Sequence, residues 1–164
     1  AIAYDFASNL NITSPVPIEI YNDPELVIQL KDRILNDDLS VDYNFDIELR
    51  SIESLFSIAF EIIYDSEVFE VNTSVESGSI FDSYESVFFY ENETGILSIG
   101  SSLLGGGDQI NSYTGTGIVA SFILNSSIND SSITNISINN LSAIDFYGEN
   151  IDIIFSPTVI ILHD

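Results

Sequence analysis

Carboxylates dominate the ionisable side chains that could do chemistry, with 26 Asp and Glu against three cations, Lys31, Arg33 and Arg50, and one histidine, His163. A lone His beside the last residue is a poor basis for a Ser-His-Asp device, and there is no H-E-x-x-H run and no cysteine to build a zinc site. Glycosidase-like carboxylate pairs are inevitable in so acidic a chain, so they discriminate nothing. The expectation is a protein without catalysis. Oxygen-rich side chains can instead hold a hard cation, and four clusters have the composition for Ca²⁺: Asp37, Asp38 and Asp42; Glu91, Asn92 and Glu93; Asn129 and Asp130; Glu149, Asn150 and Asp152. None has EF-hand spacing, and each reads equally as an acidic turn facing water. A structural calcium ion is nevertheless the expected cofactor of the whole chain, since a formal charge of −23 needs a counterweight. The alternative is a surface kept acidic for solubility or for a salty habitat.

Asn11, Asn72, Asn92, Asn125, Asn129, Asn135 and Asn140 each begin an Asn-x-Ser/Thr sequon without proline. Chance gives about 2.6 from 14 Asn and 31 Ser plus Thr, so seven is an excess that points to covalent surface glycan, although a chain rich in Asn and Ser also makes sequons by accident. Phe88, Phe89 and Tyr90 are the one aromatic run. In a strand it must send one ring to the opposite face from its neighbours, either into a core or onto a surface where sugar rings could stack. Trp, frequent in sugar platforms, is absent.

These groups have to be positioned by strands. Val41, Tyr43, Phe45, Ile47 and Leu49 alternate with Asp42, Asn44, Asp46 and Glu48, and Phe56, Ile58, Phe60, Ile62 and Tyr64 repeat the pattern after a connection at Ser51 to Ser54. Further strands are expected near 26–30, 68–73, 86–91, 95–102, 116–124, 132–139, 151–155 and 158–162, separated by turns such as 92–95, 105–108, 129–130 and 148–150. No segment carries a helical period. The fold class is therefore all-β, two packed antiparallel sheets in a sandwich or jelly roll. In the first twenty residues apolar side chains fall on even positions, Ile2, Tyr4, Phe6, Leu10, Ile12, Val16, Ile18 and Ile20, with Pro15 and Pro17 between them. The segment 1–24 reads as a strand-forming arm that either folds onto its own sandwich, 25–164, or adds to the sheet edge of a neighbour. The start at Ala1 is what removal of a secretory signal leaves, so an extracellular or cell-surface site is expected. The charge repels nucleic acid and anionic lipid, and no apolar run has the length for membrane insertion.

From about Val27 to Leu162 the chain resembles a cohesin domain. The paired strands ending in Tyr64-Asp65 look like the cohesin pair that closes on Tyr-Asp-Pro, with Ser66 in place of the proline. Val68-Phe69-Glu70-Val71, Gly78-Ser79-Ile80-Phe81, the run Thr94 to Ser102 and the run Gly115 to Phe122 follow in the family's order. The resemblance implies an antiparallel two-sheet β-sandwich of jelly-roll topology with about nine strands, whose flat face binds a dockerin module. It transfers no contact residues, because those positions vary in the family. The extra residues 1–24 and the near absence of Lys depart from the pattern. Three functions follow. The first is a secreted structural subunit that self-assembles into a fibre, tube or layer through strand addition and cation-bridged contacts between copies. The second is a cohesin-type scaffold domain that binds a dockerin-like partner, and the third a carbohydrate-binding module.

Overall fold

The computed structural model describes residues 3–4, 10–11, 23–105, 111–126, 133–155 and 159–162, with backbone alone at 3–4, 10–11, 72–74, 133 and 159–162. The period-two alternation from Val41 to Ile63 becomes strand, and no helix among the described residues is long and apolar enough to cross a membrane. In chain order the strands are β1 (Ala3–Tyr4), β2 (Leu10–Asn11), β3 (Glu25–Leu35), β4 (Val41–Ile63), β5 (Glu70–Ser77), β6 (Ser86–Glu93), β7 (Ile96–Leu103), β8 (Tyr113–Ser126), β9 (Ile133–Asp145), β10 (Ile154–Phe155) and β11 (Val159–Leu162).

The two alternating runs are one strand, and it belongs to both sheets. The first half of β4 pairs with β3 and β8, and the second half with β7 and β9. Sheet one thus runs β10–β3–β4–β8–β5 and sheet two β6–β7–β4–β9–β11. All pairs are antiparallel except β10 with β3, where Ile154 lies beside Glu25 in parallel.

Ser51 to Ser54, expected as a connection, is instead the corner at which β4 changes sheet. Ser51 and Ser54 adopt positive φ, 53° and 56°, and the register with β8 slips on each side of Ile52. Such bulges free ladder N–H groups that must find acceptors. Thr116 Oγ1 takes the Ser51 N–H and Thr114 Oγ1 the Ser54 N–H, both at 3.1 Å. The bend drives Ile52 and Leu55 into the core, each at most 1% exposed.

Between the sheets, Phe45 stacks on Phe122 at 5.3 Å and Tyr43 meets Phe69 edge-on at 5.6 Å, among Ile58, Phe60, Ile62, Leu97 and Ile99. Each side chain so buried contributes roughly 1.5–3 kcal/mol of transfer free energy. With no disulfide available, this packing carries the fold.

Of the arm, β1 and β2 pair with each other, Ala3 opposite Asn11 and Tyr4 opposite Leu10. Ile2, Phe6, Ile12, Val16, Ile18 and Ile20 lie outside the described residues. Among the described residues the arm's strand pairing is internal.

Candidate functional site

A sandwich has two outer faces, and register fixes what each presents. On sheet one, β4 turns Asp42, Asn44, Asp46, Glu48 and Arg50 outward while Val41, Tyr43, Phe45, Ile47 and Leu49 are buried. Those polar groups largely satisfy one another. Glu48 Oε2 accepts from Gln29 Nε2 at 2.7 Å and from Arg50 Nε at 2.6 Å, and Arg50 Nη1 also lies 3.5 Å from Glu25. Asp46 takes the Lys31 ammonium at 3.1 Å and the Ser121 hydroxyl at 2.7 Å. Asp42 accepts from Asn125 Nδ2 at 2.7 Å. Arg33 lies over the Tyr43 ring, 5.9 Å from its centroid. Every Lys and Arg of the chain therefore sits on β3 or the first half of β4.

Sheet two is built differently. Its outer face consists of four cross-strand rows over β6, β7, β4 and β9: Val87, Ser102, Ser57, Ile144; then Phe89, Gly100, Ala59, Ser142; then Glu91, Ser98, Glu61, Asn139; then Glu93, Ile96, Ile63, Ser137. Strand and residue spacings make this a platform of about 14 by 20 Å. The first two rows carry no charge and mostly small side chains. Ser57 and Ser102 turn their hydroxyls back to backbone carbonyls of β7, at 3.3 and 3.1 Å, which keeps the floor low. Phe89 and Val87 rise from it, 56% and 45% exposed. The Phe89 ring lies across Gly100, its tip close to where a Cβ would stand, so a larger residue there would push the ring aside. The aromatic run thus does what period two requires: Phe89 faces outward, while Phe88 packs against the core. Asn140, at φ 49° in a β9 bulge, donates Nδ2 to Glu61 Oε2 at 2.7 Å.

The match to known proteins agrees with this architecture. The model of the cohesin domain matches residues 36–150, more than half the chain. The chain belongs to the cohesin family. Its fold is similar to that of the second type II cohesin module from the adaptor ScaA scaffoldin of Acetivibrio cellulolyticus, with a TM-score of 0.68 at 12% identity over 87% of this chain and 98% of that one. A cohesin solved in the Coh-OlpA–Doc918 complex of Clostridium thermocellum gives 0.66 at 16% identity, over 87% and 100%. The non-cellulosomal cohesin of the archaeon Archaeoglobus fulgidus gives 0.65 at 14%, over 87% and 92%. A comparison with curated proteins returned no match.

In this cohesin the expected calcium clusters are spread over separate places. Asp37 and Asp38 lie in the β3–β4 turn, where the Ser40 hydroxyl and N–H, at 2.7 and 3.0 Å from Asp38 Oδ1, hold the Asp38 carboxyl below its usual range. Asp42 is engaged on sheet one, and Glu91 and Glu93 belong to rows three and four. Glu149 closes the turn after β9, its N–H donating to Asp145 Oδ1 at 2.9 Å, and Asp152 follows it. Asp130 lies outside the described residues. Among the described residues no three Asp, Glu or His converge as a metal site. Of the sequons, Asn92 accepts from the Tyr64 hydroxyl at 3.0 Å, Asn125 is held on sheet one, and Asn135 and Asn140 are exposed on β9. Asn129 and the side chains of Asn11 and Asn72 lie outside what is described. Ser57, Ala59 and Glu61 went unremarked in the sequence, although they are the alternate positions of a recognised strand. Gly100 gave no sign of its role, because only pairing with β6 brings Phe89 onto it.

Proposed function

We propose that this cohesin is a non-catalytic scaffold module, working outside the cell, which receives a dockerin-type module on the outer face of sheet two. One observation carries the reading: rows one and two form an uncharged floor of small side chains with Phe89 standing on it, while the opposite face is occupied by its own ion pairs. Large exposed aromatics over a flat, close-approachable backbone are what protein interfaces use as anchors. The Clostridium thermocellum relative was solved in a cohesin–dockerin complex, which supports the class of partner.

The test is calorimetric titration of the chain with each dockerin module encoded in the same genome. Binding by one of them, with Phe89→Ser weakening it by about tenfold or more and leaving the fold intact, is the expected result. Binding that ignores Phe89→Ser would move the interface off sheet two, and no binding by any of them would sink the reading.

A further inference from the structure

We infer that the partner seated on sheet two carries a cationic rim on one side of an uncharged, close-packing centre; this rests on the function proposed above and specifies its partner's chemistry. The four rows are polarised along the strands. Rows one and two hold no ionisable group, whereas rows three and four hold Glu61, Glu91 and Glu93 within two cross-strand steps of one another. Among the described residues no cation on the same sheet offsets them. The three ion pairs found among the described residues, Lys31–Asp46, Arg50–Glu25 and Arg50–Glu48, all lie on the opposite face. Asn140 supplies Glu61 with a neutral donor only.

A partner that covers the floor must also cover part of these carboxylates, since rows on one face are only about 7 Å apart. Covering them with neutral or acidic surface would bring unpaired like charges together against the wider field of a −23 chain. Lys or Arg side chains reaching rows three and four remove that cost and orient the partner, because three carboxylates sit on that side of Phe89 and Glu85 alone, opposite Leu104 just before row one, extends the same face on the other. A partner docked in the reverse sense along the strands would lose both.

The kinetic signature separates this from mere contact, because rim charges govern association rate and salt sensitivity while the packed centre governs dissociation. Each dockerin module encoded in the same genome is immobilised, and the chain is passed over it in 50 and 500 mM NaCl. Three forms are compared: wild type, the sheet-two triple variant E61Q/E91Q/E93Q, and a sheet-one triple variant of equal charge change, D32N/E70Q/E76Q. The expected result is an association rate about tenfold lower for the sheet-two triple variant at low salt, its salt dependence flattened, with the sheet-one triple variant within about twofold of wild type. Equal slowing by both triple variants would reduce the effect to net charge and overturn the inference. A dockerin that binds the sheet-two triple variant as fast as wild type would overturn it too, while leaving the proposed function standing. Absence of binding by any dockerin removes the function and the inference together.

Discussion

The two halves of β4 come from one continuous strand and face opposite fates. Before the Ser51–Ser54 corner its outward side chains are Asp42, Asn44, Asp46 and Glu48, most of them bonded to β3 and β8 neighbours across sheet one. After the corner they are Ser57, Ala59, Glu61 and Ile63, a low floor beside Phe89. Satisfied polar networks gain little from a partner and would be costly to strip of water, whereas an uncharged floor of small side chains edged by Val87, Phe89 and Ile144 gains by being covered. The difference is what supports placing the proposed dockerin site on sheet two.

The comparison is broken most directly by putting the same bulky cation on both halves. Ala59→Arg plants a long side chain in the centre of the sheet-two floor and holds a partner off the backbone; we expect dockerin affinity to fall by more than about 100-fold, roughly 2.7 kcal/mol. Asn44→Arg, at the corresponding place on sheet one, should leave affinity within about twofold. Calorimetry on the pair decides it, and equal losses would erase the distinction between the faces.

Stability should show the reverse asymmetry. Glu48 joins Gln29 and Arg50 with a side chain 21% exposed, so Glu48→Ala strands two donors on a half-covered surface and should cost about 1 kcal/mol. Glu61→Ala removes one exposed bond to Asn140 and should change stability by less than about 0.5 kcal/mol. Urea midpoints measure both. A larger loss at Glu61 than at Glu48 would mean that sheet two is also held by its surface.

How much of this the sequence disclosed follows from the range of the interactions involved. Alternation from Val41 to Leu49 and from Phe56 to Tyr64 is local, and it gave both core faces. The corner was misread because Ser51 and Ser54 look like turn residues; what keeps them in the strand is Thr114 and Thr116, some 60 positions away. The arrangement of the floor was hidden for the same reason. Serine, glycine and alanine at 57, 59, 100, 102 and 142 carry no signal singly, and they become a surface only when β6, β7, β4 and β9 come into register. The resemblance to cohesins implied a flat binding face in general, and cross-strand pairing shows which residues line the outer face of sheet two.

The faintest asymmetry lies between two turns that flank the start and the end of β4, and it separates by pH. Asp38, in the β3–β4 turn, has its carboxyl held low by Ser40, so its contribution is present above the ordinary value of 3.8 and is lost as pH falls through its folded value. Tyr64, where β4 ends, has its hydroxyl pushed up by burial, so its contribution is present below 10.0 and is lost as pH rises through its folded value. That hydroxyl donates to Asn92 Oδ1 and approaches the Glu93 carbonyl at 3.2 Å, tying down the β6–β7 hairpin. Acid also relieves the repulsion of a −23 chain, so a global melting curve would mix opposing effects. Amide hydrogen exchange reads them locally. Protection at 38–40 should drop below about pH 4 while 92–95 stays unchanged, and the order should reverse above about pH 10. Tyr64→Phe should weaken 92–95 already at neutral pH and leave 38–40 alone, and loosening of both segments together would mean that the two turns are not independent.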